Sequence, residues 1–282
     1  MTKVSAIVTT RDRPDWADEA VASIIGQTHP PDEIIVADDG DGQTAAALAE
    51  KFGVRTVHTD GRGPALARNA AVEIAGGQWL AFCDDDDTWH PHRLQTQLAA
   101  LAEGTVLVYG DATRTDGGRE FKNRNPSAGH VFGSLLLDNW IPTSTVLVRR
   151  DTLAKAGGFS ERYVPAEDYG LWLAIAHLGS FVRIDQPLAT YRIHAGQLQT
   201  ATAAMAGATA DAVEDALGDI GWTSAQIPNL AQRLRRLRFV QGRALVGQRD
   251  MAAAREAYRR AWAHQPAYLK APLFYLLSFV GI

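Results

Sequence analysis

The chain has 282 residues, 46% hydrophobic and 21% charged, which is enough for one large domain, or a large and a small one, around a sizeable core. A net charge of −4 argues against a nucleic-acid partner, which selects for a basic surface. The single cysteine, Cys83, excludes an internal disulfide framework and a Cys-based zinc site, and it fits a reducing compartment.

The N-terminal segment MTKVSAIVTTRDRPDW has no apolar run long enough for a signal peptide, so no export is expected. Residues 4–9 form a short apolar, β-branched run that reads as a buried strand. Ala17, Ala20, Val21, Ile24 and Ile25 then repeat at helical spacing. Strands are expected at 33–37, 54–58, 78–83 and 105–109. Helices are expected at 44–52, ended by Gly53, at 64–75, ended by Gly76-Gly77, and at 91–102, with Pro91 in its first turn. This alternation predicts an α/β, Rossmann-like domain, a mostly parallel sheet with helices on both faces. Residues 110–199 are less regular, with a strand at 145–149, a turn at Gly157-Gly158-Phe159 and a helix at 168–178.

From about residue 200 the pattern is all-helical and alanine-rich. The expected organisation is therefore a catalytic domain at 1–200 and a helical C-terminal region at 201–282. In that region Gly242, Ala254, Tyr258, Ala261 and Pro266 fall at the offsets of one tetratricopeptide-like helix pair. One copy cannot build a solenoid, so packing on the catalytic domain and a protein-interaction surface both remain open. Arg233, Arg235, Arg236 and Arg238 suit a solvated helix face or an anion site. The apolar stretch at 271–282 is too short to span a bilayer, which takes about 20 residues. It suits core packing, or docking on a membrane surface or partner.

Ligands of such sheets bind at the carboxyl ends of the strands. Those ends carry Thr9-Thr10-Arg11-Asp12, Asp38-Asp39-Gly40-Asp41 and Asp84-Asp85-Asp86-Asp87. Four adjacent carboxylates cannot be buried without compensation. Strand alternation would send Asp84 and Asp86 one way and Asp85 and Asp87 the other. The run is either a solvated turn or a site for a hard divalent ion, Mn²⁺ or Mg²⁺, which completes its shell with substrate phosphates. An EF-hand fails because Trp89 holds the position of the required Gly, and no His-Glu-x-x-His zinc motif, P-loop or G-x-S-x-G elbow is present. Gly61-Arg62-Gly63 opens like a dinucleotide fingerprint but puts Leu66 at the third small position. Taken alone, Glu167-Asp168 reads first as a helix-start cap. Trp140 and His194 read equally as structural residues.

Several blocks in order give the chain a resemblance. They are Asp12-Arg13-Pro14, Ala22-Ser23-Ile24-Ile25-Gly26-Gln27-Thr28, Glu33 through Gly40, Gly63-Pro64-Ala65-Leu66-Ala67-Arg68-Asn69, and Phe82 through Pro91 with Arg93-Leu94. Together they resemble glycosyltransferase family 2, the inverting enzymes of the GT-A fold, over about residues 1–200. The resemblance implies that Thr9 and Arg11 line a nucleotide pocket and that Asp39 hydrogen-bonds the base, uracil or thymine. It puts Arg68 beside base and diphosphate. Asp84-Asp85-Asp86 matches the D-x-D signature, with Asp84 at the ribose, Asp85 in the nucleotide-sugar pocket and Asp86 on the metal. Asp87 would orient its neighbours.

Further on, Ala166-Glu167-Asp168-Tyr169 resembles the family's acidic pair, which implies Asp168 as general base. Tyr191-Arg192-Ile193-His194 resembles a block whose histidine approaches metal or diphosphate. Trp140, Pro142 and Thr143 correspond to the acceptor side, with Glu167 close to it. Cys83 and Asp41-Gly42 depart from the usual pattern. The implied activity is metal-dependent transfer of a hexose from a UDP- or dTDP-sugar to a glycan or lipid-linked acceptor, in cell-surface polysaccharide or glycoconjugate synthesis. The expected setting is cytoplasmic, with peripheral contact at the inner membrane face through the C-terminal helices. Two rivals remain. A sugar nucleotidyltransferase would need a Gly-rich basic loop after the first strand, which Thr9-Thr10-Arg11-Asp12-Arg13-Pro14 is not. A non-catalytic interaction protein would use the helical tail.

Overall fold

The computed structural model describes residues 2–115, 128–194, 202–265 and Phe274. The first elements follow the sequence pattern. They are β1 (Val4–Thr10), α1 (Pro14–Ile25), β2 (Glu33–Asp38), α2 (Gln43–Phe52), β3 (Arg55–His58), α3 (Pro64–Ile74) and β4 (Trp79–Asp84). Next come a two-residue β5 (Thr88–Trp89), α4 (Arg93–Ala99) and β6 (Thr105–Arg114). The irregular stretch yields α5 (Phe132–Leu135), β7 (Leu147–Arg149), α6 (Arg150–Lys155), α7 (Glu167–Ile175) and β8 (Ser180–Tyr191). Three long helices follow: α8 (Thr202–Asp219), α9 (Leu230–Gly247) and α10 (Met251–His264).

One sheet takes the order β3-β2-β1-β4-β7-β6-β8-β5. Its first four strands are parallel, as βαβ crossovers require. The sheet is mixed beyond them, because β7 runs antiparallel to both β4 and β6, while β8 is parallel to β6 and antiparallel to β5. Strand order reverses around β1, which has β2 on one side and β4 on the other. That is the switch point at which open α/β sheets hold ligands. The register puts Thr9 opposite Asp84 and Thr10 opposite Asp38.

The core beneath that edge is apolar. Ala17, Ala20, Val21 and Ile24 of α1 pack with Val4, Ala6 and Val8 of β1 and with Val36, Ala81 and Cys83. Ile25 ends the predicted stripe yet is 44% exposed, since the helix stops there. Where β1 starts, Gly77 is wedged against the chain. A Cβ on it would lie 2.5 Å from Ser5 N and 2.9 Å from the Val4 carbonyl carbon. Gly77→Ala should therefore cost about 1–3 kcal/mol through forced backbone displacement. A thermal melt should show a lower Tm, and an unchanged Tm would contradict the close approach.

Contacts divide the chain into two compact units. The first comprises Met1–Ser134, Trp140–Glu161 and Ala174–His194; the second comprises Leu135–Asn139, Arg162–Leu173 and Ala195–Ile282. The boundary expected near residue 200 falls outside the described residues, as do Pro266 and, Phe274 excepted, the apolar stretch 271–282. The second unit reaches back to two earlier segments, so a single cut does not describe it. In it α9 and α10 form a helix pair. Gly242 meets the Tyr258 ring so closely that a Cβ would lie 2.6 Å from it, and Ala254 and Ala261 are fully buried.

Arg238 does not belong to a solvated face. It is fully buried and donates to Asp211 (2.6 Å), both oxygens of Glu214 (3.0 and 2.7 Å) and Gln241 (3.1 Å). Arg260 and His264 also reach Glu214. Burial alone would raise the Glu214 carboxyl, but hydrogen bonds from His264 and Arg238 and the charges of Arg238 and Arg260 outweigh it, holding it down to about 2. A depressed carboxyl contributes stability above its unfolded value of about 4.5 and loses it as pH falls toward 2. That contribution is about 3 kcal/mol. Acid unfolding of the helical unit should therefore begin below about pH 4.5, and Glu214→Gln should flatten that limb of the stability curve. Identical acid limbs would contradict the assignment. Arg238→Ala removes hydrogen bonds to both carboxylates but leaves Arg260 paired with Asp211 and Glu214, so it should cost about 1.5–3 kcal/mol.

Candidate active site

The acidic run lies at the switch point. β4 ends at Asp84, the chain turns through Asp85 and Asp86, and the Asp87 amide donates to the Asp84 carbonyl at 3.1 Å. Asp84, Asp86 and Asp87 each offer an oxygen within 4.8 Å of the others. The alternation expected from an extended strand does not hold beyond Asp84. Once the chain turns, Asp87 joins Asp84 and Asp86, and Asp85 alone faces the end of β1.

Each carboxylate is hydrogen-bonded, and Arg13 bridges two of them. Arg68, buried on α3 with its guanidinium 5.4 Å from the Phe159 ring centre, donates to Asp84 at 2.7 Å. The Asp84 amide donates to Ser144 Oγ at 3.0 Å. Asp86 Oδ2 meets Arg13 Nη1 at 3.1 Å and His194 Nε2 at 2.8 Å. Asp87 accepts from the Arg192 amide at 3.0 Å, and Arg192 Nε donates to the Asp86 carbonyl at 3.0 Å. Asp85 accepts from Thr10 Oγ1 (2.8 Å), the Arg11 amide (3.4 Å) and Arg13 Nη1 (3.1 Å). Trp16 lines the same corner, 4.6 Å from the His194 ring and just over 5 Å from the guanidinium groups of Arg13 and Arg192.

Beneath the turn, Arg93 is buried flat over Trp89 at 3.7 Å, donating to the Phe82 and Val146 carbonyls. Cys83, the departure from the family pattern, is a buried thiol whose Sγ donates to the Asp84 and Asp87 carbonyls at 3.4 and 3.7 Å.

Burial, then the charges of Asp84 and Asp86, push the Asp87 carboxyl well above the usual range. Burial also lifts Asp85 to about 6, against the lowering effect of Thr10 and Arg13. The repulsion among the clustered carboxylates and the cost of burying them are both relieved by a bound cation. Oxygen donors from three clustered carboxylates form the set a hard ion such as Mg²⁺ or Mn²⁺ requires, so the residues fit the expected metal.

The residue expected to read the base, Asp39, follows the end of β2. Asp39 is buried and accepts from Thr59 Oγ1 (2.8 Å) and the Gly63 amide (3.0 and 3.1 Å). Its amide donates to the Thr10 carbonyl at 2.8 Å. Ionised carboxylate oxygens have about four acceptor positions, so capacity remains for a ring N–H. Arg11, largely exposed, reaches Asp39 at 3.9 Å, and Thr9 is half-buried opposite Asp84. Asp38 fixes the turn itself, accepting from the Gly40 and Ala45 amides.

Three further expected residues are Trp140, Glu167 and Asp168. Trp140 lies against Tyr109 of β6, the rings tilted with their centres 5.1 Å apart. Glu167, buried, and Asp168, half-buried, open α7 in the second unit, where Asp168 Oδ1 accepts from the Tyr169 amide at 2.6 Å. Sequence reasoning gave no role to Arg13, Trp16, Thr10, Ser144 or Arg192. Arg13 and Arg192 stood inside quoted blocks, and a cation in each acidic-site block was the available signal.

The profile described as glycosyl transferase family 2 matches residues 5–155. An uncharacterized glycosyltransferase of Rickettsia felis (strain ATCC VR-1525 / URRWXCal2) is 30% identical over 203 residues, 69% of this chain but 34% of that one. The chain thus spans about a third of the length of the first relatives it matches. WfaP of Escherichia coli, a UDP-Glc:alpha-D-GlcNAc-diphosphoundecaprenol beta-1,3-glucosyltransferase, is 28% identical over 204 residues, 70% of this chain and 80% of that one. Among solved structures, S. aureus TarS 1-349 in complex with UDP-GlcNAc matches with a TM-score of 0.71 at 16% identity, over 99% of this chain and 89% of that one. The Pyrobaculum calidifontis mannosyltransferase PcManGT, in complex with GDP-Man and Mn2+, matches with a TM-score of 0.63 at 19% identity, over 99% and 80%. Structural likeness at such identities establishes the GT-A fold. The profile match, covering more than half of the residues, establishes the family: the chain belongs to glycosyl transferase family 2.

Proposed function

We propose that the chain is an inverting, metal-dependent hexosyltransferase that uses a UDP- or dTDP-sugar. The observation that carries this reading is the three-carboxylate cluster at the switch point, with Arg68, Arg13 and His194 bonded into it and the Asp39 pocket beside it. Asp39 reads the base, with Thr9 and Arg11 along the pocket wall. Arg68 and Asp84 hold the ribose-diphosphate region, and Asp85 fixes that wall through Thr10, Arg11 and Arg13. Asp86, with Asp87 and His194 beside it, would hold Mn²⁺ or Mg²⁺. A metal there would stabilise the charge developing on the leaving diphosphate.

Asp168 is the general base. It takes the proton of the acceptor hydroxyl as that oxygen attacks the anomeric carbon. The bond from that carbon to the diphosphate oxygen breaks, the nucleoside diphosphate leaves, and configuration inverts. Trp140 and Glu167 belong to the acceptor side. The name of WfaP points to a lipid-linked acceptor for this chain too, and so to work at the inner face of a membrane in cell-surface polysaccharide synthesis. No helix among the described residues is long and apolar enough to cross a membrane.

A thermal-shift panel tests the donor assignment. With Mn²⁺ present, a UDP- or dTDP-sugar near 100 times its Kd should stabilise the fold by about 2.7 kcal/mol. ADP-sugars should do less. No shift with any nucleotide sugar would overturn the reading.

A further inference from the structure

Helices α8 and α9 are joined to the segment that carries Asp168. Tyr163, five residues before Asp168, donates from its hydroxyl to Asp215 of α8 at 2.8 Å, and Arg162 pairs with the same carboxylate at 3.0 Å. The Tyr163 ring lies against Gly170, where a Cβ would come within 2.3 Å of it. On the other side of Asp168, Tyr169 is fully buried. Its hydroxyl donates to the Leu135 carbonyl and accepts from Arg233 Nη1 of α9 at 2.8 Å. The same Nη1 donates to the Leu136 carbonyl at 2.6 Å, and the guanidinium lies 5.5 Å from the Tyr169 ring centre.

One nitrogen of α9 thus ties the first turn of α7 to the segment Leu135–Asn139, while α8 holds the approach to that turn. These links span 52 to 97 residues of sequence. Regular helix packing needs none of them. A buried tyrosine hydroxyl with both a donor and an acceptor partner fixes its ring, and hence the backbone of the adjoining residue, more tightly than apolar packing does.

We infer that the C-terminal helices brace the general base, and that Arg233 is a positioning residue acting on Asp168 through Tyr169. This rests on the reading of Asp168 as base. A carboxylate displaced by about 1 Å costs on the order of 100-fold in rate while leaving donor affinity intact.

The test is a double-mutant cycle read as kcat, donor KM and affinity for UDP with Mn²⁺. Arg233→Ala should lower kcat by about 10- to 100-fold with donor KM and UDP affinity within about twofold. Arg233→Lys should recover most of it, since all the bonds come from one nitrogen. In the Asp168→Asn background, Arg233→Ala should have almost no further effect, because residues acting through one group are not additive. Tyr169→Phe, which removes one oxygen from a packed ring, should reproduce the kcat loss and serves if Arg233→Ala does not fold. Wild-type kcat in Arg233→Ala or Tyr169→Phe would overturn the brace, as would an equal loss in both backgrounds. Wild-type kcat in Asp168→Asn alone would instead overturn the base, and the brace would fall with it.

Discussion

Asp168→Asn should lower kcat by about 10²- to 10⁴-fold, the range a positioned general base supplies. The substitution changes one atom and retains the acceptor oxygen that takes the Tyr169 amide. A role limited to the first turn of α7 rests on negative charge at the helix N-terminus, so Asn there would lower stability by about 0.3–1 kcal/mol and leave the rate unchanged. Loss of rate far beyond that small stability change therefore separates the two roles. Donor affinity should stay near the wild-type value, because the nucleotide contacts are assigned to Asp39, Arg68 and the acidic run. Steady-state kinetics with a UDP titration in Mn²⁺ reads all three quantities. Wild-type turnover would exclude Asp168 as the base.

Asp86→Ala should abolish the metal-dependent part of donor binding. In the wild type, chelating the metal should weaken UDP by tenfold or more, since each 1.4 kcal/mol of lost metal–diphosphate attraction is about tenfold. In the variant, UDP affinity with and without Mn²⁺ should coincide. Asp86 is the carboxylate to test because it shares one oxygen between Arg13 and His194, and it stands with Asp84 and Asp87 in one cluster. Asp87→Asn should weaken the metal dependence too, an expectation that comes from the turn after Asp84 and not from strand alternation. Calorimetric titration checks both. A variant that retained the full Mn²⁺ effect would remove Asp86 from the metal site.

The parallel half of the sheet was legible because each element announces itself locally. Residues 4–9 and 33–37 are short β-branched runs, and α1 carries its apolar stripe at helical spacing. The acidic strand ends followed from the rule for such sheets. Beyond it, β7 falls within the strand expected at 145–149, but its antiparallel direction leaves no local mark in the sequence, and β8 was not legible because it mixes buried, half-buried and exposed positions without a clean period. Roles of single residues were lost where they depend on distant pairing. Arg13 meets Asp85 and Asp86 across more than 70 residues, and His194 meets Asp86 across 108. Alternation misplaced Asp87 because a period of two is valid only while the chain stays extended. The arginines of α9 looked like one solvated face, but Arg238 is fully buried and Arg233 is bonded to Tyr169, and only tertiary partners reveal that difference.

The central claim is single displacement at the anomeric carbon. Its most direct test is to incubate the protein with Mn²⁺, a UDP- or dTDP-sugar and a lipid-linked glycan acceptor, then identify the released phosphate species and the anomeric configuration of the product by NMR. The account predicts one nucleoside diphosphate released per sugar transferred and a glycosidic bond of configuration opposite to that in the donor. Release of pyrophosphate, or a product that retains the donor configuration, would contradict it.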